Sequence, residues 1–189
     1  MWQCSSAYPM GSATVSNACS ISKPSTIDPM LLTGINHVAV VTQDTDRFHE
    51  FYGSVFGATV FADEPTNSDE GEPPGRLSFV TIGPHTQFNV FEIPVPPPDH
   101  KPMFGRGPID HIGLQAESQE AFDEIRRRLI ERGSTDGFVT DFGVAISLFF
   151  IDPDGLEGEV VLDKPGTGPA DMKPPGTPAE GYERVLPEL

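Results

Sequence analysis

The sequence predicts an α+β protein built from one βαβββ unit used twice. Three observations carry this. The run Ile35-Asn36-His37-Val38-Ala39-Val40 recurs as Ile109-Asp110-His111-Ile112-Gly113-Leu114. An amphipathic helix pattern follows each copy, and each unit closes on strand-like runs that carry a glutamate, Glu92 and Glu159. Two histidines and two carboxylates at matching places in a duplicated unit suggest one metal site built by both halves.

The elements follow in order. Residues 1–30, rich in Ser, Ala, Pro and Thr, lack helical or strand periodicity and read as a disordered leader; Met30 opens the patterned chain. In the first module, 31–94, the strand 34–42 alternates so that His37, Ala39 and Val41 share one face while Val38 and Val40 share the other, the pattern of a strand buried on both sides. Asp44 can cap a helix whose stripe is Phe48, Phe51, Tyr52, Val55 and Phe56, with Gly57 as its stop. Gly53 within it costs roughly 1 kcal/mol against alanine. Strands at 58–62, 76–82 and 86–93 complete the module, the last two joined by Gly83-Pro84-His85.

A Pro-rich connector, 95–108, leads to the second module, 109–164. It repeats the order: strand 109–116, cap Ser118, helix residues Phe122, Ile125 and Leu129, stop Gly133, then strands near 136–140, 144–151 and 157–162. Asp152-Pro153-Asp154-Gly155 turns the last two. The Pro- and Gly-rich stretch 165–189 reads as a flexible tail.

Composition narrows the partners. Among 189 residues, 12 basic against 28 acidic give a net charge of −16, which repels phosphate backbones and anionic lipid, so a nucleic-acid partner is not expected. Cys4 and Cys19 both precede the repeated region and cannot cross-link it. No apolar run is long enough to span a bilayer, and residues 1–30 lack the basic and apolar regions of an export signal, so a cytoplasmic protein is expected.

The order of elements, the Ile-x-His start of each unit, the helix ending Phe56-Gly57, and Asp152-Pro153-Asp154-Gly155 followed by Glu159 together resemble the vicinal oxygen chelate superfamily over residues 34–163. That group includes glyoxalase I, methylmalonyl-CoA epimerase, extradiol dioxygenases, fosfomycin-resistance enzymes and bleomycin-binding proteins. The resemblance implies that the two modules pair into a cup-shaped mixed sheet, helices outside, with one divalent ion, Zn, Ni, Co, Mn or Fe, inside. Its ligands then fall on His37, Glu92, His111 and Glu159, with Glu157 in reserve. Flanked by Phe91 and Ile93, Glu92 is expected on the concave face with His37.

The activity so implied is a glyoxalase-like lyase or isomerase acting on a small-molecule substrate. The ion chelates vicinal oxygens and stabilises an enediolate, with Glu159 or Glu92 as proton shuttle. Extradiol ring cleavage needs a third open position, which Glu92 as a ligand would block. A non-catalytic drug binder would instead use Phe88, Phe138, Phe142, Phe149 and Phe150 as an apolar lining. Arg76, Lys101 and Arg106 are the rim cations available to an anionic substrate, while His49, His85 and His100 read as surface or structural. A homodimer is expected, since the connector lets the modules close on each other or exchange with a second chain.

Overall fold

The computed structural model describes residues 34–66, 75–93, 101, 105 and 107–185. The leader 1–30 and most of the connector 95–108 lie outside them.

The first module runs β1 (His37–Thr42), α1 (Thr45–Phe56), β2 (Thr59–Thr66), β3 (Gly75–Ile82) and β4 (Thr86–Glu92). The second repeats it with β5 (Ile112–Gln115), α2 (Gln119–Glu131), β6 (Val139–Asp141), β7 (Ala145–Ile151) and β8 (Glu157–Asp163). Each forms its own four-stranded sheet, ordered β1-β4-β3-β2 and β5-β8-β7-β6. In each, the first strand lies parallel to the last and the other pairings are antiparallel. The α+β class and the duplicated βαβββ order are therefore those read from the sequence.

The helices start and stop where their residues require. The Asp44 side chain accepts from the Arg47 N–H, and Gly57 takes the left-handed conformation at φ 71° that ends α1. Ser118 caps α2 in the same way through the Ala121 N–H. Both helices lay their stripes on one face of their own sheets, and one core joins the modules: Phe48, Tyr52, Val55, Phe88 and Val90 are continuous with Phe122, Leu129, Leu148, Phe150 and Val160.

Phe150 makes the join. Its ring lies 6.3 Å from that of Phe51 and 5.2 Å from that of Phe56, and Gly158 gives it room, because a Cβ there would stand 2.2 Å from the Phe150 ring. The turn after β7 then latches onto the first module. Asp154 accepts from the Thr42 hydroxyl at 2.6 Å, the Gln43 N–H at 3.2 Å and the Arg47 guanidinium at 2.5 Å. Buried Asp152 takes the Tyr52 hydroxyl at 3.0 Å, and burial pushes both acids' pKa values up. Arg128 donates to the carbonyls of Ser54 and Val55 at the C-terminal end of α1.

Three expectations are corrected. Strand β1 is covered on one face only, since His37, Ala39 and Val41 are exposed. Strand β2 extends to Thr66, with a bulge between Val60 and Ala62. The segment 165–185 is mostly exposed, yet specific contacts tie it to the second module. Lys164 and Lys173 both reach the nearly buried Asp141, at 2.6 and 2.5 Å, and Pro178 bridges Thr140 on the outer edge of β6. Tyr182 meets the Phe122 ring edge-on at 5.9 Å and takes the Arg126 guanidinium over its face. Proline and glycine leave only a short 3-10 helix, Pro169–Asp171, as a regular element here, and specific contacts order the backbone around it.

Candidate metal centre

Strand phase decides which side chains can meet. On β1 and β4 the buried residues Val40, Phe88 and Val90 face α1, so His37, in register with Gln87, lies on the opposite face. On β5 and β8 the core-facing residues are Ile112, Leu114 and Val160, which puts His111 and Glu159 on the outer face of the second sheet.

There the second module assembles a compact cluster. His111 Nε2 stands 3.3 Å from Glu159 Oε2, and His111 Nδ1 stands 3.1 Å from the carboxylate of Asp110. The Ser147 hydroxyl donates to the other oxygen of Glu159, and the Phe149 ring closes on the imidazole edge-on at 5.4 Å. A carboxylate can only accept, so Asp110 keeps the proton on Nδ1 and leaves Nε2 with its lone pair. The 3.3 Å contact with Glu159 is met either by a proton on Nε2 that donates to the carboxylate or by a cation that both groups share. Two donors sharing one ion through bonds of about 2.1 Å stand roughly 3.0 to 3.4 Å apart, so this pair fits a divalent ion.

The first module repeats half of this device. His37 Nδ1 is 2.9 Å from the side-chain oxygen of Asn36, which again frees Nε2. The residue before each histidine therefore sets its tautomer, a feature visible in the repeated Ile-x-His pattern and not drawn from it.

Glu92 departs from its expected place. It shares a face with Phe88 and Val90, opposite Thr42, and its Oε2 accepts from the Thr45 N–H at 2.9 Å. It satisfies the first turn of α1, where the unpaired N–H groups and the helix dipole favour an anion. The apolar neighbours Phe91 and Ile93, which suggested the reverse phase, are instead 37% and 40% exposed. Glu157 shares the face of Glu159 and is nearly buried. Among the described residues, no group of three or more His, Cys, Asp or Glu side chains is placed to hold a metal within one chain. The structure thus joins His111 to Glu159 and leaves His37 apart.

The remaining candidates have structural places. His49 hydrogen-bonds the buried Ser78 hydroxyl at 2.7 Å, and burial lowers its pKa. His85 is exposed in the β3–β4 turn, and His100 lies outside the described residues. Arg76 is held by Asp63 and Asp46 on the helix side, not at a rim; Lys101 is exposed and Arg106 falls outside the described residues. Of the five phenylalanines considered for a pocket, Phe88 and Phe150 are core, Phe138 lies under Arg184, Phe142 is half-buried between β6 and β7, and Phe149 stands at the cluster.

Duplicated βαβββ modules with a histidine at or just before the start of each first strand define a class. Residues 34–160 match the family described as the Glyoxalase/Bleomycin resistance protein/Dioxygenase superfamily, and the chain belongs to it. Among curated proteins it is 30% identical over 168 residues to the "Putative ring-cleaving dioxygenase MhqA" of Bacillus subtilis (strain 168), covering 83% of this chain and 49% of that protein. The chain thus spans about half the length of this relative.

Solved structures agree on the fold. A glyoxylase/bleomycin resistance protein/dioxygenase domain from Frankia sp. EAN1pec superposes with a TM-score of 0.57 at 19% identity, over 72% of this chain and 96% of that one. The fosfomycin resistance protein FosX of Listeria monocytogenes, complexed with Mn(II) and 1S,2S-dihydroxypropylphosphonic acid, gives 0.52 at 18%, over 69% and 92%. No described helix is long and apolar enough to cross a membrane.

Proposed function

We propose that the protein is a metal-dependent ring-cleaving dioxygenase, with His37, His111 and Glu159 as the ligands of one Fe(II) or Mn(II) ion. The observation that carries this is the engagement of Glu92 at the start of α1, where its Oε2 takes the Thr45 N–H. With Glu92 occupied, three protein donors remain, the two-histidine, one-carboxylate set that leaves three positions for an aromatic diol and dioxygen. The similarity to a ring-cleaving dioxygenase supports the same choice over the lyase or isomerase reading.

When bound, such an ion supplies Lewis acidity and a redox-active centre to the diol and dioxygen. The chain's own residues prepare the site. Asn36 and Asp110 hold the Nδ1 protons and aim the two Nε2 lone pairs. Phe149 shields one edge of His111 from water. Asn89 shares a face with His37, and its Oδ1 is buried without a hydrogen-bond partner. Every described Arg and Lys except Lys101 is engaged by protein oxygens, which favours a neutral diol over a phosphonate or a thiol conjugate.

His37 and the His111–Glu159 pair sit on different sheets, so we assign completion of the site to a second copy of the chain. Val41 at 52% and Phe91 at 37% exposure, on the same face as His37, give that copy an apolar surface to cover. Iron(II) loading without oxygen, followed by air and a panel of catechols and hydroquinones, tests the activity. Stoichiometric oxygen uptake with a yellow ring-opened product is expected. An iron-loaded protein that consumes no oxygen with any diol, or that isomerises a hemithioacetal instead, contradicts it.

A further inference from the structure

We propose that Ser147 is a positioning residue that makes Glu159 a one-oxygen ligand, an inference that rests on the metal site just described. Ser147 lies on β7 opposite Val161, one row from Glu159, which faces Phe149 across the β7–β8 ladder. This diagonal is within side-chain reach on a shared face. The serine is 1% exposed, and its hydroxyl donates to Glu159 Oε1. The other oxygen, Oε2, is the one that faces His111 Nε2 at 3.3 Å. One oxygen is therefore occupied inside the sheet while its twin is turned to the imidazole.

The division has a chemical consequence. A free carboxylate can chelate with both oxygens and take two positions on an ion. With His37 and His111 in place, a two-oxygen Glu159 would leave two positions where a diol and dioxygen need three. By holding Oε1, Ser147 keeps the third open and fixes the side-chain rotamer, so less order is lost when the ion binds. A single serine in a strand gives no sequence signal of this role.

The test is cobalt(II) titration of the full chain, followed by equilibrium affinity and the d–d absorption spectrum, with metal-free melting as a control. Ser147→Ala and Ser147→Val remove the hydroxyl, while Ser147→Thr keeps it and matches valine in shape. Removal should weaken cobalt binding about 10-fold or more and change the absorption spectrum, and threonine should stay within about threefold of the wild type on the same scale. The Thr–Val comparison remains readable if alanine at this buried position impairs folding. Equal affinities and spectra for Thr and Val, in a background where the wild type binds cobalt, overturn the role of Ser147 and leave the metal site standing. A wild-type chain that takes up no cobalt overturns both.

Discussion

Replacing Glu92 separates a ligand from a helix anchor. In Glu92→Ala the Thr45 N–H loses its acceptor at 2.9 Å, at a position where Thr45 itself is fully buried. A hydrogen bond to a charged group contributes about 1.5–3 kcal/mol, and a helix-start acceptor about 0.5–2 kcal/mol, so about 2 kcal/mol is expected. For a domain of this size that lowers the melting temperature by about 4 to 8 °C. Glu92→Gln keeps an acceptor oxygen and should lose less than half as much. Melting followed by circular dichroism, with cobalt titration of each folded variant, gives both numbers. The expected result is a graded loss of stability with cobalt affinity unchanged. Folded Glu92 variants that no longer bind cobalt, with wild-type melting, would refute the assignment and restore the four-ligand site.

Further outcomes follow from the packing. Phe150→Ala removes the ring shared with Phe51 and Phe56, and urea unfolding should show a loss of about 3–5 kcal/mol. Gly158→Ala forces a Cβ to within 2.2 Å of that ring, so a loss of about 1–3 kcal/mol is expected, and wild-type stability would contradict the close approach. Lys164 and Lys173 hold the Asp141 carboxyl well below its usual range. The stability this lends is complete above the unfolded value of about 3.9 and fades as the pH falls below it toward the folded value. The protection of the Lys173 and Asp141 amides, bonded to Phe142 and Thr177, measured against the intrinsic exchange rate at each pH, should therefore fall on acidification below about pH 4, and Asp141→Asn should abolish that dependence.

Much of this was legible in the residues. Alternation around Val38 and Val40 placed His37, the repeat placed His111, and Asp44, Gly57 and Ser118 marked helix ends where the structure has them. Glu92 was misplaced because Phe88 through Ile93 is apolar on both faces. Phe91 and Ile93 looked inward, yet Phe88 and Val90 fill the core, and a shift of one residue reverses every side chain. The anchoring of 165–185 was hidden for another reason. Its order comes from Lys164, Lys173 and Tyr182 meeting Asp141, Asp123 and Phe122, contacts that composition does not encode. Asn36 and Asp110 were in view within the repeat, but their role appears only with the Nδ1 contacts.

Subunit mixing tests the central claim most directly. His37→Ala and His111→Ala chains, each unable to build the site alone, are refolded together and their bound metal is measured. If His37 of one copy meets His111 and Glu159 of another, random pairing gives mixed dimers half the time with one of two sites intact, and about a quarter of the wild-type metal returns. A mixture as empty as its parents, or parents that each hold metal as the wild type does, would contradict it.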